Sequence, residues 1–372
     1  MIRHANGRLD SLDVFRGATI AAMILVSTPG TWEAVYAQLD HAAWNGWTLT
    51  DLVFPFLLFA MGAAVPVALS RRKAANRRLP RHIVRRGLIL FALGLLLNAI
   101  QAKPPVSLRT FRIPGVLQRI AIVYVAIAWL TERTTRRTQA IVAVGALLGY
   151  WAVMTLVPVP GVGAGVLTPE GNLASFVDRS ILGSHLAFMT WDSEGLLSTI
   201  PAVTTALAGV FSSAWLVRAQ FKRHHTAYLL AAGAGAMALG WWWGRAFPIN
   251  KNLWTSSFAL FTAGLAVETL ALAHWLLDIH HWRGWSTPFV AFGRNPLAAY
   301  FLSIGLDSVL SRWIVTPGGA SLKWVLYRAA FASWAEPCCG PEAASLLYAV
   351  AYTTLWGVVL WIMYRRRIFV GI

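Results

Sequence analysis

The first polar segment of the chain holds the side chain best suited to chemistry. It runs from Thr31 to Leu49 between two apolar stretches and contains acids, two amides and one histidine, His41, but neither Lys nor Arg. An imidazole titrates near neutral pH, so it can move a proton or carry an acyl group. A lone histidine in a loop more often has a structural role, so residue type alone makes His41 only a candidate catalytic group.

Two later polar segments offer groups that would bind a sugar. One carries Asp192 and Glu194, and the other, FPINKNLW (Phe247–Trp254), combines amides, a lysine and aromatic rings. Sugar hydroxyls need hydrogen-bond partners, and the C–H faces of a sugar ring pack on aromatic surfaces. Trp and Tyr also gather at the interfaces of any membrane protein, so this composition is a weak signal when taken alone.

The elements that position these groups are long apolar helices. Of the 372 residues, 57% are apolar and only 13% are charged, whereas about a quarter of the residues in a soluble domain are charged. A membrane-spanning helix needs about 20 apolar residues, and Leu52–Leu69 and Ala343–Tyr364 are among the runs without any charged side chain. The sequence therefore predicts an all-α, polytopic transmembrane helix bundle that forms a single domain over residues 1–372.

We expect about ten spans, with both chain termini on the cytoplasmic side. The predicted spans are Asp13–Thr28, Thr50–Leu69, Arg85–Ile100, Gly115–Leu130, Gln139–Val157, Leu196–Val217, Thr226–Trp243, Ser256–Leu277, Asn295–Trp313 and Ala344–Tyr364. In this arrangement 21 of the 32 Lys and Arg residues fall in cytoplasmic segments and 9 in the opposite loops, which is the positive-inside pattern. The lipid bilayer is the expected partner, and the net charge of +17 needs no nucleic acid to explain it.

Charged side chains inside the predicted spans are costly, so they usually face the bundle interior, where they pair or act in function. The candidates include Asp13, Arg16, Asp51, Arg119 and Glu268. Asp13 and Arg16 lie one helical turn apart, so an ion pair between them is the simpler explanation. The two cysteines of the chain are adjacent and cannot make a zinc site, and no metal is expected.

Five ordered blocks of sequence carry a resemblance to a known family. RLDSLDVFRG, LVSTPG and HAAWNGWTLTDLVFPFLLFAMG form the first block, within Arg8–Gly62. The others are RIPGVLQRI (Arg112–Ile120), DSEGLLSTI (Asp192–Ile200), FPINKNLWTSS (Phe247–Ser257) and GRNPLAAY (Gly293–Tyr300). Together they resemble the heparan-α-glucosaminide N-acetyltransferase family, which comprises lysosomal enzymes and their bacterial relatives, and the resemblance extends over nearly the whole chain.

The resemblance implies transfer of acetyl from cytoplasmic acetyl-CoA, used as a co-substrate, to the amino group of a glucosamine-type sugar on the other side. It implies that His41 is the catalytic histidine and that Asn45 and Asp51 support it. The chain departs from the family at Ser27, where Asn is frequent and would hold the acetyl carbonyl, and at Ser193, where Pro is usual. We include Ser27 in the site as a weaker donor. The implied location is a bacterial inner membrane, with the site open to the periplasm.

The remaining site predictions concern the two substrates. The phosphates of CoA need partners at the cytoplasmic face, and Arg294 and Asn295, at the cytoplasmic start of the ninth span, are assigned to them. Arg16, Gln118 and Arg119 are the further residues assigned to cofactor binding. The residues assigned to the acceptor sugar are Asp192, Glu194, Asn250, Lys251 and Trp254. Simpler explanations stand beside these assignments, because Arg294 suits a positive-inside anchor and loop acids are often merely solvated.

Several alternatives stay open at this point. His41 either removes a proton from the attacking amine or takes up the acetyl group first. A secondary transporter would share the span number and the polar groups, although no internal repeat is visible, and a non-catalytic scaffold would not depend on His41. O-acylation of a different glycan would use the same machinery. The sequence does not determine the oligomeric state.

Overall fold

The computed structural model describes residues 9–74, 79–219 and 223–371, and these residues form helices joined by loops. In chain order the helices are α1 (Asp10–Ser27), α2 (Leu49–Ala74), α3 (Leu79–Gln101), α4 (Val116–Arg133), α5 (Arg136–Leu156), α6 (Leu173–Leu182), α7 (Thr199–Ala219), α8 (Arg223–Trp243), α9 (Ser256–His274), α10 (Thr287–Arg294), α11 (Pro296–Ser308), α12 (Leu322–Tyr327), α13 (Ser333–Cys339) and α14 (Pro341–Arg365). Single π-helical turns continue α9, α11 and α12 over Trp275–Ile279, Val309–Trp313 and Arg328–Ala332.

A helix stands at each of the ten predicted spans, which confirms the all-α prediction for the described part of the chain. Within that part, six helical segments are long and apolar enough to cross a membrane: Leu49–Ser70, Pro80–Gln101, Arg136–Leu156, Thr199–Val217, Ser256–Ile279 and Pro341–Arg365. The count of ten stays a prediction, as does the side on which the termini lie. The sequence patterns missed α6, α10, α12 and α13, because these helices are too short to give a span signal.

The bundle has two chemically different ends. At one end α1 begins and α14 finishes, and the Asn295 side chain donates a hydrogen bond to the Ile368 carbonyl at 2.9 Å. We name it the basic end, because Arg365–Arg367 lie there. At the other end α1 finishes and α14 begins, joined by a hydrogen bond of 3.2 Å from the Gly30 N–H to the Ser345 carbonyl. We name it the chamber end, after the large cavity that lies there.

Helices α2 and α7 cross at a pair of glycines. A Cβ atom on Gly62 would lie 1.9 Å from the Ala206 carbonyl oxygen, and one on Gly209 would lie 2.1 Å from the carbonyl oxygen of Phe59. Neither position has room for a side chain, so the two backbones approach closely, as is common where helices pack in membranes. This crossing fixes α2, whose first turn carries Asp51.

Helices α10 and α11 meet at a corner that also depends on glycine. Asn295 between them is non-helical, with φ −127° and ψ 49°, as expected for the residue before a proline, here Pro296. The backbone of α10 packs directly on α1, since a Cβ on Gly17 would lie 1.7 Å from a carbonyl oxygen of α10 and one on Gly293 would lie 2.2 Å from a carbonyl oxygen of α1. The corner directs α11, and Tyr300 with it, into the bundle.

Candidate active site

His41 and Asp51 form a hydrogen-bonded pair at the chamber end. Asp51 lies in the first turn of α2, where the helix dipole favours a carboxylate, and its side chain is buried. The N–H groups of Ala42 and Thr48 donate to its Oδ2 at 3.1 and 3.0 Å, and its Oδ1 lies 2.7 Å from His41 Nδ1. Since an ionised carboxylate only accepts hydrogen bonds, we assign the imidazole proton to Nδ1, which leaves Nε2 as the base or nucleophile.

Lys251 joins this pair from the loop between α8 and α9. Its Nζ lies 3.0 Å from Nδ1 and 3.1 Å from Nε2 of His41, and 3.7 Å from Asp51 Oδ1. Burial lowers the pKa of Lys251 from its ordinary value, while the carboxylates of Glu194 and Asp51 act to raise it. The site therefore places an amino group directly beside the imidazole.

The loops that carry His41 and Lys251 are tied to each other behind the site. The buried Asn250 side chain accepts the Leu253 N–H through Oδ1 at 2.9 Å and donates from Nδ2 to Asn45 Oδ1 at 3.1 Å. The Gly46 N–H donates to the Ile249 carbonyl at 2.8 Å. Asn45 and Asn250 hold these loops in register, and neither is among the described residues that line the chamber.

Arg112 holds the two acids that were predicted to bind the acceptor. Its guanidinium makes a bidentate contact with Asp192, from Nε to Oδ2 at 2.9 Å and from Nη2 to Oδ1 at 2.6 Å, and it also donates to Glu194. Burial acts to raise the pKa of Glu194, but the charge of Arg112 and other nearby cations bring it down to about 2. Glu194 is therefore ionised at neutral pH. Sequence reasoning gave Arg112 no role, although it opens the RIPGVLQRI block.

The chamber wall is supported from the protein interior by Gln118, Arg119 and Trp254. Arg119 is fully buried and donates to the Ser198 hydroxyl and the Gly195 carbonyl. Its guanidinium lies 5.0 Å from the Trp254 ring centroid, and Gln118 donates to a carbonyl of the loop before α4. The structure places Gln118 and Arg119 in the first turns of α4, toward the chamber end, and neither is among the described residues that line the two cavities of the bundle. Their assignment to cofactor binding stays a prediction.

The chamber is a cavity of about 2340 Å³, including the solvent at its mouth. Ser27, His41, Glu194 and Lys251 lie on its wall, together with the aromatic side chains Trp32, Phe188, Trp191 and Trp324. The rings of Phe188 and Trp191 stack with centroids 4.2 Å apart. Hydrogen-bonding groups and aromatic surfaces therefore surround one space, which is the combination that a sugar ring needs.

A second cavity, of about 850 Å³, lies in the half of the bundle toward the basic end. We name it the inner cavity. Its described lining contains the guanidinium groups of Arg16 and Arg86 and no carboxylate, and most of the rest is aliphatic. Arg86 also lies over the Tyr124 ring, 4.8 Å from its centroid. Helices α1, α2, α3, α4 and α11 each line both cavities, and Tyr300 of α11 belongs to both walls.

The other residues predicted to bind the nucleotide have separate surroundings at the basic end. Arg16 lies 3.4 Å from Asp13, so the expected ion pair is present, and Arg16 also lines the inner cavity. Arg294 lies 3.8 Å from Asp13. The Asn295 side chain donates to the Ile368 carbonyl and accepts from the Val370 N–H, so both ends of its amide are hydrogen-bonded to the main chain after α14. Among the described residues, no group of three or more His, Cys, Asp or Glu side chains is placed to hold a metal ion.

Known proteins are similar to this chain over almost all of its length. Residues 8–167 match a family model described as Domain of unknown function (DUF5009). The heparan-alpha-glucosaminide N-acetyltransferase of Homo sapiens is 27% identical over 424 residues, which cover 97% of this chain and 59% of that protein. The protein of the same name from Mus musculus is 27% identical over 427 residues, covering 99% and 61%. The chain thus spans about three fifths of the length of these curated relatives, and the resemblance predicted from five sequence blocks is confirmed.

Proposed function

We propose that this protein is a transmembrane acetyltransferase. It would bind acetyl-CoA from the basic end and move the acetyl group to the amino group of a glucosamine-type sugar in the chamber. The observation that carries the proposal is the pair of cavities, which are lined by the same five helices and approach each other at Tyr300, with His41 on the chamber wall. The similarity to two N-acetyltransferases supports the reaction type. By the positive-inside pattern, the basic end would be cytoplasmic. We place the protein in a bacterial inner membrane, with the chamber open to the periplasm.

The inner cavity has the character that acetyl-CoA requires. Phosphate groups bind best to guanidinium groups, and Arg16 and Arg86 stand on a wall that has no described carboxylate. The aliphatic remainder of that wall suits the thin pantetheine arm. We therefore assign Arg16 and Arg86 to the phosphates of the co-substrate, and the arm to the space that leads toward Tyr300.

His41 supplies the chemistry at the thioester. Its Nε2 either takes a proton from the attacking amine or accepts the acetyl group and passes it to the amine. In both routes the buried Asp51 carboxylate holds the ring through Nδ1 and stabilises its cationic form. Glu194, which is ionised and lies on the chamber wall, would attract an incoming glucosammonium ion.

The test is acetyl transfer from labelled acetyl-CoA to glucosamine by purified protein in detergent. We expect product from the wild type and none above background from His41→Ala. His185→Ala is the matched control, because His185 is a histidine of the chamber end that bonds to a loop carbonyl and is not among the described chamber-lining residues. It should retain activity.

Other outcomes of this experiment separate the alternatives. If acetyl-CoA binds to the wild type and glucosamine is not acetylated, the acceptor assignment is wrong and glycan hydroxyls become the next acceptors to assay. If folded protein neither binds acetyl-CoA nor forms product, the acetyltransferase proposal is contradicted. Solute flux without acetyl-CoA would then favour a transporter.

A further inference from the structure

We infer that Lys251 is a catalytic residue whose ammonium group binds the carbonyl oxygen of the acetyl thioester and stabilises the oxyanion that forms there. The inference rests on the proposed function and deepens it, since it changes the role of Lys251 from holding the acceptor sugar to acting on the acetyl group. It begins from the position of the side chain, which contacts the reacting imidazole itself.

The geometry places Lys251 where the carbonyl oxygen must come. Reacting atoms in a productive complex approach to about 3–3.5 Å, so the carbonyl carbon has to lie close to His41 Nε2 or to an amine held by it. Lys251 Nζ lies 3.1 Å from that Nε2 and is on the chamber wall. An oxygen bonded to the reacting carbon is then within hydrogen-bond reach of Nζ.

The neighbouring donors are committed to other partners. Asn45, which was predicted to support the site, accepts a hydrogen bond from Asn250 through Oδ1 and is not among the described residues that line the chamber. The backbone N–H groups of Ala42 and Thr48 donate to the Asp51 carboxylate. The Arg112 guanidinium is held by two acids. Ser27 lines the chamber, but a neutral hydroxyl is a weaker partner for an oxyanion than a cation is.

Charge also argues against Lys251 as the acceptor-binding group. A glucosamine acceptor arrives as an ammonium ion, and a second ammonium ion beside His41 would repel it. The neutral amine, which is the form that attacks, is not repelled. Burial further strengthens the attraction between Lys251 and an oxyanion, because charges interact more strongly where water is excluded. The carboxylates of Glu194 and Asp51 lie near Lys251 and favour its charged form against the effect of burial, which lowers its pKa.

The step balances without any further reactant. The amine nitrogen forms a bond to the carbonyl carbon, and the C=O π pair moves to oxygen, where Lys251 donates a hydrogen bond. His41 Nε2 takes the proton released by nitrogen. The oxygen pair then re-forms the C=O bond, the C–S bond breaks, and the thiolate receives that proton, which yields the acetamide and CoA thiol. On the acetyl-histidine route, Nε2 bonds to the carbonyl carbon and collapse of the oxyanion breaks the C–S bond, releasing the CoA thiolate. The amine then attacks the acetyl-imidazolium, the C–Nε2 bond breaks, and the proton released by nitrogen goes to the thiolate. Lys251 binds the same oxygen in both additions.

The experiment measures the thioester carbonyl directly. Acetyl-CoA labelled with ¹³C at the carbonyl is bound to purified protein without acceptor, and its carbonyl stretch is recorded by isotope-edited infrared difference spectroscopy. We expect the band at lower wavenumber in the wild type than in Lys251→Met, which keeps the side-chain length and removes the charge. Lys251→Arg should retain part of the shift. Lys323→Met is the matched control, because Lys323 also lines the chamber but is paired with Asp307 at 2.8 Å.

Kinetics give a second reading of the same role. Loss of an oxyanion donor costs about 10²–10³ in kcat, so we expect that loss in Lys251→Met with no rise in the KM for glucosamine. A raised KM with unchanged kcat would assign Lys251 to acceptor binding and overturn the inference. So would the same carbonyl band in wild type and Lys251→Met when both bind acetyl-CoA, and the acetyltransferase proposal would survive that result. If the wild type binds no acetyl-CoA, both proposals fall.

Discussion

At the scale of single residues, the orientation of the His41 ring determines which of its nitrogens is available for proton transfer in the chamber. The Asp51 carboxylate is fixed by two backbone N–H groups and by the first turn of α2 before it meets His41. The ring is therefore oriented by a buried carboxylate that is itself held by hydrogen bonds, while about half of the His41 side chain stays exposed. A base held in this way is ready for proton transfer without rearrangement.

Asp51→Asn tests this orientation. The amide has nearly the same shape, but it can donate to His41 Nδ1, which would favour the tautomer whose Nε2 carries the proton. We expect kcat for acetyl transfer to fall by about 10³–10⁴, by analogy with the same change in other histidine–carboxylate pairs. Asp40→Asn is the control, since Asp40 is exposed and accepts only the His41 main-chain N–H, which an asparagine also does. Equal activity of the two variants would contradict the orienting role.

Asp178 in α6 offers a pH-dependent prediction. Burial raises its pKa to about 6 from 3.8, although the Leu196 N–H acts to lower it. The folded state then holds the proton more tightly than the unfolded state between about pH 4 and 6, so this group's contribution to stability falls as pH rises through that window. Asp178→Asn keeps the acceptor for Leu196 and cannot ionise.

We therefore expect Asp178→Asn to be more stable than the wild type at pH 7, by on the order of 2–3 kcal/mol, and equal to it at pH 4. Thermal melts of purified protein at the two pH values measure this difference. A variant that melts lower than the wild type at pH 7 would show that the ionised carboxylate makes a stabilising ion pair instead.

The sequence predicted some of these residues and not others for a physical reason. His41 and Asp51 lie ten positions apart within one block, so both could be assigned together. Arg112 meets Asp192 and Glu194 only after the chain has crossed the bundle, and no local pattern contains that pairing. Arg86 and Tyr300 show the same limit, since neither the lining of a cavity nor the meeting of two cavities follows from hydrophobic periodicity.

At the scale of elements, the site is held together by helices that cross at glycines, where no side chain separates the two backbones. Gly62 and Gly209 leave room for the backbones of α7 and α2, and a methyl group at either would overlap a carbonyl oxygen. We expect Gly62→Val to lower the melting temperature sharply or to prevent folding, because overpacking costs about 1–3 kcal/mol or more. Gly145→Ala in α5 is the control: nothing lies within 4 Å of its added Cβ, so it should be neutral or slightly stabilising. Equal melting of the two variants would contradict the tight crossing.

Helix positions were the most predictable feature, and helix breaks the least. Apolar runs of span length predicted α2, α7 and α14 because a long uncharged run has few alternatives in a membrane. Helices α10 and α11 are separate because Pro296 disfavours a helical conformation at Asn295, the residue before it. The predicted span began at Asn295, in the corner itself, so the prediction covered α11 and left out α10.

At the scale of the whole molecule, the two cavities make the proposed reaction directional. Acetyl-CoA should be used only when it is supplied at the basic end, because the arginine-lined inner cavity lies toward that end. In proteoliposomes of uniform orientation, labelled product should form when acetyl-CoA faces the basic end and glucosamine faces the chamber end. Exchanging the two compartments should abolish product, and equal rates in both arrangements would contradict a directional path.

The position of Tyr300 in the walls of both cavities has a consequence for the ion gradient across the membrane. A membrane that stores a proton gradient works as an electrical insulator, and any continuous wet path through it is a leak conductance that discharges the store. Because Tyr300 belongs to the walls of both the chamber and the inner cavity, the proposed enzyme would bring reagents from both compartments within reach of each other with that side chain standing between them. Acetyl transfer across the bilayer would then need no open channel through it.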